Sequence, residues 1–142
     1  MTSPLETELS SALRISVMRL SRRMRQERSG EAGLTATQLA VMATLRRHGA
    51  LTAGELAAYE KVSPPSMTRV LTTLADAGMV SRRSSPTDGR QVLVELSDAG
   101  AELLAADRRR RDEWLGARLG ELTGEEQEQL RAVVGILDRL AS

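Results

Sequence analysis

The chain has 142 residues, 41% of them hydrophobic, which suits one compact domain or one domain with a docking element. It has no cysteine, which excludes disulfides, thiolate metal sites and thiol redox sensing; its only aromatics are Tyr59 and Trp114, so a core of Leu, Ala, Val and Met must pack mainly as helices. The net charge of +1 is unevenly spread: residues 14–90 hold 12 Arg and one Lys against 6 acids (+7), whereas residues 119–142 hold 2 Arg against 5 acids (−3).

The spacing of Leu9, Leu13, Val17, Leu20 and Met24 predicts a first helix over 5–28 with one apolar stripe. Glu6 and Glu8 stand where a signal peptide would be positive. No apolar run approaches the roughly 20 residues of a membrane span. A cytoplasmic protein without a membrane partner is expected. Ser29 to Gly33 breaks the pattern.

Three well-marked helix starts follow. Thr35 with Gln38 and Thr52 with Glu55 are capping boxes, stapled by Leu34/Leu39 and Leu51/Leu56. Ser63 precedes Pro64, where a missing N–H costs nothing, and Val62/Met67 form its staple. Gly49 and Gly78 stand in helix-stopping positions. Helices are expected over 35–48, 52–59 and 63–77. Strands are expected over 79–84 and 91–96, joined by the turn-rich Ser84-Ser85-Pro86-Thr87-Asp88-Gly89. Val92, Val94 and Leu96 alternate with Leu93 and Glu95, which predicts a core face on the second strand. Ser97 caps a long helix to about Leu119. Thr123 and Glu126 box a last helix with the stripe Leu130, Val133, Val134, Leu137 and Leu140.

The short link between helices 52–59 and 63–77 fits a helix-turn-helix. In its second helix Met67, Val70, Leu71 and Leu74 make a buried face. The opposite face carries Pro65, Arg69, Thr72, Thr73 and Asp76, flanked by Ser66 and Thr68 and capped by Ser63. Small hydroxylic residues approach base edges without clashing and donate to bases or phosphates. Arg69 can reach a guanine or a phosphate. Arg82, Arg83 and Arg90 put three guanidiniums on a short hairpin, and narrow minor grooves attract arginine. Asp88 can pair with a nearby arginine and fix the loop. A solvated amphipathic helix and a surface hairpin with a local ion pair fit the same pattern.

The residues Val62-Ser63-Pro64-Pro65-Ser66-Met67-Thr68-Arg69-Val70-Leu71 carry a resemblance to the MarR family of bacterial transcriptional regulators. So do Leu74 through Val80, Arg82-Arg83, and Asp88 through Gly100. The spacing from the aspartate-x-arginine of the wing to the Leu-Ser helix start is its most specific part. The likeness implies a mainly α fold with a small β-hairpin wing (α+β). Residues 34–96 would form a winged helix-turn-helix DNA-binding region. Residues 1–33 and 97–142 would form a helical dimerisation region. It implies a homodimer on double-stranded DNA, with recognition helices in successive major grooves and wings in minor grooves. It gives the wing role to Asp88 and Arg90, and base or backbone contact to Ser66, Thr68 and Arg69. Pro64-Pro65 departs from the polar residues of many relatives, so Pro65 offers only apolar contact, as to a thymine methyl.

The stripes Leu9/Leu13/Val17/Leu20 and Leu130/Val133/Val134/Leu137/Leu140 exceed what one small body can hide, which also points to a homodimer. His48, the only histidine, reads as a helix-end or surface residue. Arg108 to Arg111, flanked by Asp107, Asp112 and Glu113, reads as a solvated, internally paired helix. Trp114 reads as packing between helices, with ligand stacking as the alternative. No catalytic triad, phosphate loop or metal-ligand spacing appears, so neither an enzyme nor a cofactor is expected. A ligand-responsive repressor on a pseudo-palindromic operator is the leading reading. Its effector would be a small aromatic or carboxylic acid held where the first helix and the Trp114 helix meet the reading lobe. Two other readings remain: a winged helix used for protein docking, and an architectural DNA binder without sequence choice.

Overall fold

The computed structural model describes residues 1–27 and 33–142. In chain order its elements are α1 (Pro4–Gln26), α2 (Ala36–His48), β1 (Leu51–Thr52), α3 (Ala53–Glu60), α4 (Pro64–Asp76), β2 (Val80–Ser84), β3 (Val92–Leu96), α5 (Asp98–Leu119) and α6 (Gly124–Ala141). The chain divides into two compact units, Ser29–Arg108 and Met1–Arg28 with Arg109–Ser142.

Local chemistry sets the helix boundaries. The Thr35 Oγ1 accepts the Gln38 N–H at 3.2 Å, and Gln38 Oε1 accepts the Thr35 N–H at 2.8 Å. The same reciprocal box closes the starts of α3 and α6. Each such cap is worth about 1 kcal/mol. A fourth box, Ser3 with Glu6, starts α1 at Pro4, one residue ahead of the expected start. The helix ends at Gln26, with Glu27 as its cap, short of the expected 28. Of the expected break, Ser29 to Ala32 lie outside the described residues; Gly33 has a φ of 64°.

Two helix ends use one device with different residues. After α4, Met79 N–H reaches Leu74 O at 2.9 Å and Gly78 N–H reaches Ala75 O at 3.0 Å, with Gly78 at φ 76°. After α3, Val62 N–H reaches Ala57 O at 3.1 Å and Lys61 N–H reaches Ala58 O at 3.4 Å, with Lys61 at φ 54°. Both patterns close the last turn through a left-handed residue. Glycine adopts that conformation freely and lysine does not. The α3–α4 turn is therefore tight, and its strain sits on Lys61.

The sheet has three antiparallel strands in the order β1-β3-β2, where the sequence suggests only a two-stranded hairpin. Leu51 pairs with Val94, Val80 with Leu96 and Ser84 with Val92. Leu51, Val80 and Val94 are buried, so one face of the sheet enters the core. The expected core face of β3 does not extend to Val92, which is 51% exposed because the hairpin has by then left the lobe. Under the sheet, Val41, Met42 and Leu45 of α2 pack with Leu56 of α3 and with Met67, Leu71 and Leu74 of α4. Burying a side chain of this size contributes about 1.5–3 kcal/mol.

Gly100 ties the start of α5 to this core. A Cβ on it would lie 2.2 Å from the Met79 carbonyl oxygen and 2.8 Å from Leu96 Cδ1. The glycine lets α5 begin directly over the end of α4. Ser97 locks the approach: its N–H reaches Met79 O at 3.0 Å, its hydroxyl donates to Gly78 O at 2.6 Å, and its Oγ accepts the Gly100 N–H at 3.0 Å.

In the other unit neither α1 nor α6 has a fully buried residue. Leu20 of α1 joins Leu115 and Leu119 of α5 and Leu130, Val133, Val134 and Leu137 of α6 around an apolar groove of about 800 Å³. Trp114 is half-buried, with the Arg23 and Arg118 guanidiniums 5.2 and 5.4 Å from its ring centroid. Its partners are thus cations as well as helix packing. The solvated reading of Arg108–Arg111 holds for Arg108 and Arg109 only. Arg110 and Arg111 are half-buried and Asp107 is buried.

Candidate nucleic-acid interface

The N-terminus of α4 is capped from within the chain. Ser63 Oγ accepts the Ser66 N–H at 3.3 Å and donates to Ser66 Oγ at 2.9 Å. Pro64 and Pro65 carry no N–H, so the first turn leaves no amide donor unsatisfied, and it holds no acidic side chain. Met67, Leu71 and Leu74 fix the helix to the core. That leaves Ser63, Pro65, Thr68, Arg69, Thr72 and Thr73 exposed and Ser66 half-buried. The expected reading residues thus share one accessible helix, and Arg69 is the only cation among them.

The hydroxyls behave differently from the expectation. Thr68 Oγ1 donates to Pro64 O at 3.0 Å, Thr72 Oγ1 to Thr68 O at 2.9 Å and Thr73 Oγ1 to Arg69 O at 3.1 Å. These hydrogens serve the helix's own carbonyls, a habit of threonine in helices. Outward, each threonine offers its methyl and oxygen lone pairs. The side-chain donors left on this face are the Arg69 guanidinium and the Ser66 hydroxyl.

The three hairpin arginines stand in different situations. Arg83 Nε lies 3.2 Å from Glu95 Oε2 across the β2–β3 pair, an exposed ion pair. Arg82 lies one residue away on β2, so the pleat turns it to the other face of the sheet, opposite Val94. Arg90 is exposed in the loop between the strands. The sequence suggests that Asp88 holds an arginine side chain; instead Asp88 Oδ1 accepts the backbone N–H of Arg90 at 3.0 Å. Asp88 still shapes the loop, through the main chain.

Sequence reasoning missed Ser85, which is 8% exposed. Its Oγ accepts the N–H groups of Thr87 and Asp88, each at 3.3 Å. Its own N–H reaches Gln91 O at 2.9 Å, and Gln91 N–H reaches Asp88 O at 3.0 Å. The visible signal was a serine three residues before an aspartate inside a turn. His48 was also read incompletely. It stacks on Tyr59 with ring centroids 4.6 Å apart, a pairing between two helices that spacing cannot show.

Of the residues expected at a dimer interface, Leu9, Val17, Leu130, Val134 and Leu140 are exposed; Leu13, Val133 and Leu137 are half-buried. Among the described residues no cluster of His, Asp or Glu could hold a metal ion, and no helix is long and apolar enough to cross a membrane.

Comparison with known proteins agrees with this architecture. A profile of the MarR family matches residues 34–92. An uncharacterized HTH-type transcriptional regulator of Mycobacterium bovis is 47% identical over 132 residues, covering 93% of this chain and 92% of that protein. The HTH-type transcriptional repressor MdtR of Bacillus subtilis is 28% identical over 96 residues, 66% of this chain and 62% of that protein. The crystal structure of a putative transcriptional regulator from Pseudomonas aeruginosa superposes with a TM-score of 0.86 at 30% identity, covering 99% of this chain and 98% of that one. The chain belongs to the MarR family and is a DNA-binding transcriptional regulator of the winged helix-turn-helix type.

Proposed function

We propose that the protein is a cytoplasmic repressor, not an enzyme, that binds a near-palindromic operator as a homodimer. Residues 34–96 supply the DNA-binding region, and residues 1–33 and 97–142 the dimerisation region. In this reading α4 enters the major groove through Ser63, Pro65, Ser66, Thr68, Arg69, Thr72 and Thr73, and Arg82, Arg83, Asp88 and Arg90 form the wing that meets the minor groove. The observation that carries it is the outer face of α4: small side chains and a single guanidinium, on a helix whose opposite face is locked into the core. A docking surface for protein would instead centre on large apolar anchors. Pro65 and the threonine methyls suit thymine methyl groups, and the free acceptor lone pairs suit the adenine amino group, so the half-site is expected to contain A·T pairs.

Dimerisation is supported by the apolar residues that α1 and α6 leave in water. Repression is supported by the MdtR relative, itself a repressor. Control by a small aromatic or carboxylic acid is carried over from the family, and requires that the ligand prefer a dimer with wrongly spaced recognition helices.

Selection of bound duplexes from a random pool, followed by affinity measurement against salt, tests the reading. An A·T-containing inverted repeat with a steep salt dependence is expected. Equal affinity for the selected and a random duplex would leave an architectural binder, and no affinity for either would leave a docking module. Titrating phenolic and carboxylic acids against the preformed complex, at fixed pH and ionic strength, tests the effector. A coupling of about 1–3 kcal/mol is the ordinary size. No shift beyond a matched-salt control would remove ligand control.

A further inference from the structure

We infer that Ser85 is the positioning residue of the wing, setting where Arg90 stands by accepting backbone hydrogen bonds inside the loop. The inference rests on the wing reading given above. Between β2 and β3 the chain must turn through Pro86, Thr87, Asp88, Gly89 and Arg90, and the hairpin at that point has left the hydrophobic core. Val92, at the end of β3 nearest the loop, is exposed. The loop is held by polar contacts, and they form a chain that ends at Arg90. Ser85 Oγ gathers the N–H groups of Thr87 and Asp88 and lies 3.1 Å from Thr87 Oγ1. That fixes the backbone of Asp88. The Asp88 carboxylate then accepts the Arg90 N–H, and the Asp88 carbonyl accepts the Gln91 N–H. Gln91 O returns to the Ser85 N–H and closes the ring. The amides of Arg90 and Gln91 are thus both tied to Asp88, and Asp88 is tied to Ser85.

The geometry assigns Ser85 a role as acceptor, because both amide contacts are donated to it. An arginine side chain loses much rotamer freedom when it binds, and a loop that wanders adds its own ordering cost. Holding the Arg90 backbone in place before DNA arrives removes that second cost.

The test uses the full-length dimer, an operator duplex recovered by selection, and the variants Ser85→Ala, Ser85→Asn, Arg90→Ala and Ser85→Ala/Arg90→Ala. Arg90→Ala is expected to weaken binding by about five- to hundred-fold, and to reduce the magnitude of the salt slope by about one. Ser85→Ala is expected to weaken it by roughly three- to ten-fold, a share of the Arg90 effect, with thermal unfolding unchanged and faster exchange of the Thr87 and Asp88 amides. Ser85→Asn keeps an acceptor able to close the same kind of turn and should restore binding. The double variant should bind like Arg90→Ala alone, since Ser85 acts through Arg90. Additive losses, or Ser85→Ala binding like the parent while Arg90→Ala is weak, would overturn the inference and leave the wing reading standing. An Arg90→Ala dimer with parental affinity would overturn both.

Discussion

The two units of the chain treat their apolar residues in opposite ways. In Ser29–Arg108, three helices and the sheet close over Val41, Met42, Leu56, Met67 and Leu74, each fully buried. In the unit made by the termini, α1 and α6 bury nothing completely, and Leu5, Leu9, Val17, Val134 and Leu140 remain exposed. The first unit is finished within one chain. The second leaves apolar side chains in water, and in the proposed dimer a second copy covers them.

Truncating the same residue type in each unit is the strongest way to break that comparison. Leu56→Ala should cost about 2–5 kcal/mol, the range for a buried leucine, at every protein concentration. Leu130→Ala, 44% exposed in the single chain, should act through association, so its cost should shrink as the protein is diluted towards monomer. Denaturant unfolding at several concentrations checks both. A concentration-independent loss at Leu130 would mean that the terminal helices are complete without a partner.

Next in size is Gly100→Ala. The added Cβ meets the Met79 backbone carbonyl at 2.2 Å, and that carbonyl, held by the Ser97 N–H, cannot swing aside as a flexible side chain would. A loss of about 1–3 kcal/mol is expected. A neutral result in thermal unfolding would show that the α4–α5 approach is looser than described.

The wing separates binding from stability. Arg90→Ala should weaken operator binding by about 1–3 kcal/mol while leaving the unfolding temperature unchanged. Arg83→Ala should do less, because that guanidinium already faces Glu95 at 3.2 Å. Equal losses at the two positions, measured by titration at one salt concentration, would contradict the different roles assigned to them.

The smallest effect has the opposite sign. Lys61→Gly relieves a left-handed lysine in the turn whose counterpart after α4 is Gly78, and should stabilise the fold by about 0.5–1 kcal/mol. Destabilisation would mean that the Lys61 side chain contributes more than its backbone costs.

The helix plan was legible in the sequence because its signals are local. A threonine and a glutamate three residues apart satisfy each other within one turn, so Thr52/Glu55 and Thr123/Glu126 could be read without knowing the fold. Gly78 announces a left-handed turn by itself. β1 could not be read, because Leu51–Thr52 is a strand only by virtue of Val94 and Leu93, some forty residues away. For the same reason Leu51, taken as a helix staple, is also a core residue of the sheet. The buried face of α4, with Met67, Leu71 and Leu74, followed from its amphipathic spacing. The direction in which Thr68, Thr72 and Thr73 spend their hydroxyl hydrogens did not, since spacing says nothing about side-chain torsions. Asp88 was placed correctly in the loop and given the wrong donor. Ser85 passed as one turn residue among several, although its burial distinguishes it.

In the proposed complex one accessible helix and one arginine-tipped hairpin, duplicated by two-fold association, read DNA. A hydroxyl-radical footprint on the selected duplex tests it most directly. The account expects two symmetric protected half-sites about one helical turn apart, flanked by minor-groove protections that Arg90→Ala removes. A single asymmetric half-site, or flanking protections that survive in Arg90→Ala, would contradict it.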